Sequence, residues 1–263
     1  MDLRSLYDLE VRCEGDEPGM RREVAPGVVR QVDLLGSQSA VTYSHLAQGD
    51  ADAAIRREAM YFERLGHDVE WKLYGHDRPA DLGGLLAEHG FAAEDEETVL
   101  VLELAEAPQE LLAEVAPCVR RIEDPGRLGD VTRVREAVWP GELPWLEDRL
   151  SWLMRCAPER VSVFVAYAGD EPVSAARIEY PARPGGFAGI WGGATLPAWR
   201  GRGLYTALLA ARAQEAVARG MRFLTIDASP MSRPIVERHG FRALTTARAH
   251  VRPCSAHLGA SDV

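Results

Sequence analysis

The sequence has no metal-binding cysteine pair, no long apolar run and no excess of basic residues, and each lack removes a class of function. Its four cysteines, Cys13, Cys118, Cys156 and Cys254, are scattered and form no CxxC pair. A zinc site, or any other metal site, is therefore not expected, and single thiols at such spacing read as reduced cysteines of a cytosol. No apolar stretch approaches the ~20 residues that cross a bilayer. The opening residues, Met1 to Asp8, show no basic region followed by an apolar run, so no export signal is visible. The expectation is a cytoplasmic protein without a membrane partner. Acidic residues outnumber basic ones, 40 against 30, for a formal charge of -10. Such a surface repels phosphate backbones and argues against a nucleic-acid partner. It mildly favours cationic substrates, although many cytosolic proteins are acidic with no such meaning.

What the chain does have is ample core material and a repeated pattern. Of its 263 residues 46% are hydrophobic and 27% charged, ordinary for a soluble globular protein, and the length favours two domains. Leu85-Leu86-Ala87-Glu88-His89-Gly90-Phe91 resembles Ile235-Val236-Glu237-Arg238-His239-Gly240-Phe241. Each reads as a short helix closed by glycine and followed by a strand. A strand-like run ending in Asp precedes each, Val69 to Asp77 and Arg222 to Asp227. Helical stretches precede those, Asp52 to Leu65 and Tyr205 to Arg219. Candidate strands follow at Thr98 to Leu104 and Leu244 to Val251. This is a weak internal repeat; helix-Gly-Phe is common enough that chance similarity stays open. The boundary falls near Ala105 to Pro117, giving halves 1–108 and 118–263, with a small, polar tail from Ser255.

The second half holds more parts. Val119 to Ile122 reads as a strand, Asp124 to Val138 and Leu143 to Ala157 as helices. Strands follow over Val161 to Tyr167, Val173 to Tyr180 and Phe187 to Leu196. Alternating strands and helices place the chain in the α/β (α+β) class, with a mixed central sheet flanked by helices.

The most informative stretch is Leu196-Pro197-Ala198-Trp199-Arg200-Gly201-Arg202-Gly203-Leu204-Tyr205-Thr206. A strand ends, a glycine-rich turn follows, and a helix starts. Gly201 and Gly203 allow a tight turn and close approach of a ligand. The amides from Gly201 to Thr206 lie where a helix leaves its first N–H groups unpaired, and those amides with the helix dipole suit a pyrophosphate. Arg200 and Arg202 add charge at the same place. No Gly-Lys-Ser/Thr follows and the spacing is not GxGxxG, so neither a Walker loop nor a dinucleotide fingerprint is present. The alternative for an isolated Arg-Gly-Arg-Gly is a tight turn with two solvated arginines.

Pro-x-Trp-Arg-Gly-Arg-Gly-Leu, then a helix, a strand and a helix ending in His239-Gly240-Phe241, resembles the GNAT superfamily of acyl-CoA N-acyltransferases. The resemblance covers about Cys118 to Val251. It implies that the loop holds the coenzyme A pyrophosphate through the motif Arg/Gln-x-x-Gly-x-Gly/Ala. Arg200 and Gly203 match that motif, and Tyr205 replaces the third small residue, where only a backbone N–H is needed. It also implies that the end of the preceding strand, about Ala194 and Thr195, hydrogen-bonds the pantetheine arm. Gly192 and Gly193 suit a strand that bulges or splays there. By the same resemblance the first half is a shortened, degenerate GNAT-like domain. In place of the loop it has His45 to Asp52, with one glycine and two carboxylates, which would repel a pyrophosphate.

The chemistry implied is attack of a neutral amine on a thioester, with acetyl-CoA as donor and a small-molecule or polypeptide amine as acceptor. An alkylamine of pKa ~10 must first lose a proton, and the developing oxyanion needs a donor, in the family a backbone N–H, here near Ala194. The tyrosine that serves the family as acid falls here at Val236, which cannot donate a proton. Ser229 and Ser232 could donate to sulfur or cap a helix. Glu179 and Asp227 could act as base, or be paired or solvent-facing carboxylates. Cys156 reads as a small core residue and His239 as facing solvent. Trp139, Trp145 and Trp152 could line an acceptor pocket or pack helices; Glu142, Glu147 and Asp148 could attract a cation or form a solvated face. A non-catalytic acyl-CoA-binding sensor or scaffold is the alternative function. The acceptor, the acyl length and the oligomeric state are not legible in the chain.

Overall fold

The computed structural model describes residues 1–36, 38–141, 144–182 and 186–258. The expected start of a helix at Leu143, the candidate Glu142 and the last residues of the tail lie outside them. By compactness the chain forms two units built from interleaved segments. One holds Met1–Val99, Asp227–Pro230 and Ala243 onward; the other holds Leu100–Ile226 and Met231–Arg242. The expected halves 1–108 and 118–263 follow sequence order, whereas compactness follows strand pairing, which returns the last strand to the first unit.

The first unit starts with α1 (Leu3–Tyr7), whose Asp2 carboxylate accepts from the Ser5 amide, and continues as a π-helical segment over Asp8–Cys13. Strands β1 (Met20–Ala25) and β2 (Val28–Asp33) form a hairpin, and β3 (Gln38–Ser44) pairs antiparallel to β2. Helix α2 (Ala51–Leu65) crosses over to β4 (Asp68–Tyr74), parallel to β3. Then come α3 (Leu82–Glu88) and β5 (Ala92–Glu103). The last strand, β11 (Arg242–Arg252), inserts between β4 and β5, antiparallel to β4. Along β4, Val69 and Trp71 are buried in one core with Ile55 and Phe62 of α2 and with Leu82 and Leu86 of α3, as the period-2 alternation of a strand requires.

The opposite face of β4 carries Lys72, the only lysine of the chain. It is bonded to Asp227. Burial works to lower the ammonium's pKa, but Asp227 and Glu70 reverse this and hold it above its ordinary value. Glu97 of β5 stands in the same field; burial first, then Asp227 and the neighbouring glutamates, pushes its carboxyl up to about 7, against the opposing pull of Lys72.

In the second unit, α4 (Gln109–Leu112) and β6 (Val119–Ile122) lead to a 3-10 turn, Pro125–Arg127, and to α5 (Gly129–Val138). The helix expected from Asp124 is thus interrupted at its first turn, where Pro125 and Gly126 resist continuous α-helix. Helix α6 (Leu146–Cys156) follows, then the antiparallel run β7 (Val161–Ala168), β8 (Glu171–Glu179) and β9 (Phe187–Thr195). Helix α7 (Leu204–Ala218) joins β9 to β10 (Phe223–Ala228), which is parallel to β9. The strand order is β10-β9-β8-β7-β6, a mixed sheet. Leu128, Val131 and Val134 pack with Leu146, Leu150 and Leu153 of α6 against Val163, Val165 and Ala175. Helix α8 (Arg233–Arg238) precedes β11, and α9 (Ser255–Leu258) closes the described chain. Cys156, expected in a core, is exposed at the end of α6.

The repeat seen in the sequence recurs in the backbone. His89 and His239 cap their helices at φ -96° and -94°. Gly90 and Gly240 follow at φ 81° and 89°. Phe91 N–H donates to Leu86 O at 3.1 Å and Phe241 N–H to Val236 O at 3.2 Å. Each is a helix closed by a left-handed glycine.

Glu97 carries a pH signature. Its folded pKa lies above its unfolded one, so the native state binds the extra proton between the ordinary glutamate value and about 7. Stability from this group is present at low pH and is lost as pH rises through that window. Glu97→Gln should therefore raise urea stability at pH 8 relative to wild type and make no difference at pH 4; equal gains at both pH values would contradict the assignment.

Candidate functional site

Strand β9 pairs with β10 only from Phe187 and Phe223 to Gly189 and Thr225. Beyond that point it stays with β8 alone. There the register slips, because Gly192 and Gly193 together oppose the single residue Ala176 between the pairs Arg177–Trp191 and Ala175–Ala194. Gly192 has φ 60°, the left-handed conformation that a bulge asks of glycine. The two parallel strands thus part at a bulge, as the Gly-Gly pair anticipated. At its far end Ala194 is buried, and its carbonyl accepts from Ser174 Oγ at 2.7 Å; Thr195 Oγ1 lies 2.7 Å from the same hydroxyl.

From Thr195 the chain makes a 3-10 turn, Pro197–Trp199, and enters α7 through Gly201 at φ 71° and Gly203 at φ 76°. Arg200 and Arg202 are exposed. Arg200 Nε donates to Thr195 O at 3.2 Å, and the Arg202 guanidinium lies 4.5 Å from the Trp199 ring centroid. Among the described residues, the backbone N–H groups from Gly201 to Thr206 have no acceptor; the first helical bond here is Ala207 N–H to Gly203 O at 2.9 Å. These open amides at the positive end of α7, flanked by two arginines, fit a phosphate or diphosphate.

Two side chains of this turn do more than the sequence suggested. Tyr205, expected to matter through its N–H, turns its ring onto the bulge: a Cβ on Gly193 would come within 2.7 Å of Tyr205 Cε2. Burial raises its phenol above the ordinary tyrosine value, with the nearby Arg212 cation pulling the other way. The phenol is therefore protonated at neutral pH. Thr206 Oγ1 lies 3.1 Å from His239 Nε2, and His239 Nδ1 lies 2.6 Å from Glu110 Oε1. His239, expected to face solvent, has a side chain only 12% exposed and braces the first turn of α7.

The other sequence candidates are dispersed. Glu179 accepts from Arg177 Nε at 2.6 Å, and Asp227 is the ion partner of Lys72 in the first unit, so both carboxylates expected as base are paired. Ser232 occupies the N-cap position of α8 without a side-chain cap bond; its carbonyl accepts from Ile235 N–H at 3.0 Å. Ser229 lies in the turn after β10. Val236 is fully buried, in the helix-end position where the resemblance places an acid. In the first unit, the corresponding turn, His45 to Asp52, has no glycine of positive φ. Its acids are partly engaged, Asp52 with Arg56 and His89. Among the described residues no group of His, Cys, Asp or Glu is arranged to hold a metal, and no helix is long and apolar enough to cross a membrane.

Residues 130–241 match the family model described as Acetyltransferase (GNAT) family. The fold over nearly the whole chain is that of GNAT proteins. A GCN5-related N-acetyltransferase from Kribbella flavida superposes with a TM-score of 0.66 at 17% identity, covering 92% of each chain. A functionally unknown conserved protein from Staphylococcus epidermidis gives a TM-score of 0.66 at 12% identity, over 96% of this chain and 100% of that one. A tandem GNAT protein from the clavulanic acid biosynthesis pathway gives 0.57 at 13%, over 91% and 85%. No curated protein matches the chain. Residues 130–241 thus match the GNAT acetyltransferase family, and the chain has the fold of GNAT proteins, one of them described as tandem.

The turn itself is testable without a ligand. Nothing crowds a Cβ at Gly203, so the cost of substitution there is conformational alone. Gly203→Ala should lower stability by about 1 kcal/mol, read from urea unfolding; an unchanged midpoint would mean the left-handed turn is not required.

Proposed function

We propose that this protein is an acyl-CoA-dependent N-acyltransferase that moves an acetyl group from acetyl-CoA to a primary amine of a small molecule or polypeptide. The observation that carries the reading is the row of unpaired amides from Gly201 to Thr206, opening α7 beside Arg200 and Arg202. Those groups, with Leu204 among them, would grip the diphosphate, and Ala194 and Thr195 at the parted end of β9 would steady the pantetheine arm. Bound there, the coenzyme supplies a thioester carbon to the amine nitrogen, the C–N bond forming as the C–S bond breaks and the amine proton ending on the thiolate.

The chain's own residues would then manage the proton. Tyr205 is a protonated phenol against the bulge, and it is the side chain best placed to act as acid where Val236 cannot. Ser232 and Ser229 are the alternatives at the start of α8. The first half, 1–108, would bind no coenzyme, since its turn offers carboxylates where open donors would be needed.

Arg202→Glu should weaken coenzyme A binding at least about tenfold by reversing charge beside the phosphates, whereas Asp50→Ala should leave it intact. Calorimetric titration separates them, and an Arg202→Glu protein of wild-type affinity would remove the loop from the reading. Tyr205→Phe should lower kcat roughly a hundredfold while coenzyme affinity, which uses its N–H, changes little; a wild-type rate would pass the acid role to the serines. Tight coenzyme binding without amine-dependent thiol release, across a broad amine panel, would favour a sensor.

A further inference from the structure

The bulge in β9 presents two different surroundings, because successive strand residues look to opposite faces of the sheet. Gly193 faces Tyr205 of α7. Gly192 faces the other way, where a Cβ would meet Arg177 Nη1 at 2.9 Å and Arg135 Nη1 at 3.2 Å. Two guanidinium groups from β8 and α5 thus converge on one point, on the face away from the helix that opens with free amides. The indole of Trp191 lies along the same strand, its Nε1 within 2.6 Å of the point where Gly189 would carry a Cβ. Arg177 sits 6.0 Å from the Trp191 ring centroid, and Arg135 sits 5.3 Å from that of Trp139. Glycine at 189 and 192 is what makes room for the indole and the guanidiniums.

The hydrogen bonding of Arg177 leaves one edge open. Its Nε donates to Glu179, which fixes the plane of the fork. Its Nη groups have no acceptor among the described residues, and Nη1 is the atom turned toward Gly192. A planar arginine fork matches a carboxylate in a way an ammonium does not, and the edge of the Arg177 fork that Glu179 leaves open is the one turned toward the bulge.

We propose that Arg177, with Arg135, binds a carboxylate of the acceptor, so that the substrate is an amine bearing a carboxylate, an amino acid or a molecule of that type. This rests on the acyltransferase reading above. The anion is assigned to the acceptor because the donor's phosphate loop opens α7, which packs on the opposite face; a nucleophile reaching the bulge from the α5 face would arrive beside the two arginines.

The test compares acetylation of amino acids with that of their carboxamides, by thiol release from acetyl-CoA. Wild type should prefer the carboxylate forms in kcat/KM, mainly through KM. Arg177→Gln should cut the acid-to-amide ratio at least about tenfold, and Arg177→Lys should restore part of it, which a folding defect would not produce. Equal use of acids and amides, or a preference that survives Arg177→Gln, overturns the proposal. So does a preference for succinyl-CoA over acetyl-CoA that vanishes in Arg177→Gln, because the anion would then belong to the donor. A binding measurement keeps the two readings apart: N-acetyl amino acids and their carboxamides are titrated into protein saturated with coenzyme A. Binding of the acids, weakened about tenfold by Arg177→Gln, sustains the carboxylate site even where no amine is acetylated, and only the transfer reading then fails. Equal binding of acids and amides, or none of either, sinks the site.

Discussion

An extra residue in a strand disrupts its ladder locally, and the second unit is organised around one such place. Gly192 and Gly193 oppose a single residue of β8, and pairing with β10 ends three residues earlier in the chain, at Gly189. The gap this leaves is where a slender ligand can lie against strand backbone, since no neighbouring strand consumes its edge. A side chain at 192 would need an unfavourable φ and would strike the Arg177 guanidinium; one at 193 would strike Tyr205. The backbone irregularity and the surrounding side chains therefore constrain each other.

The turn into α7 is the second element of that arrangement. Its glycines permit a left-handed entry, so the first amides of a long helix point outward with no carbonyl to meet them. A helix end of this kind stores an electrostatic preference for anions at no further conformational cost once the turn has formed. His239 and Glu110 hold Thr206 in that first turn, so the helix ending in His-Gly-Phe reaches the loop through a side chain as well as through the order of the fold.

Much of this was legible in the sequence, for physical reasons. Glycines spaced as Gly201 and Gly203 are between a β-rich run and an alanine-rich helix leave little choice of turn, and the repeated His-Gly-Phe marks a helix end because only glycine readily takes the left-handed closing position. The elements that escaped are those whose pattern is set by partners distant in sequence. The hairpin and third strand over residues 20–44 carry exposed Arg21, Arg22 and Glu23 in a strand with little burial, so no clean alternation announces them. Strand β5 begins at Ala92, earlier than expected, because its exposed acidic start reads as loop. Arg135 and Arg177 are single arginines in a chain rich in them, and only the fold brings them over Gly192. The pairing of Glu179 and Asp227 with cations is likewise a fact of tertiary structure, and it leaves neither carboxylate idle.

The lone lysine has a chemical corollary. A thioester is attacked by uncharged amines, and the only ammonium among this chain's side chains is kept protonated beside Asp227 and Glu70. A protein that handled activated acyl groups, as proposed, would thereby offer them almost no amine of its own. Its basic surface is built from arginine, which stays cationic and inert toward acyl donors, so its composition leaves a single lysine to be acylated.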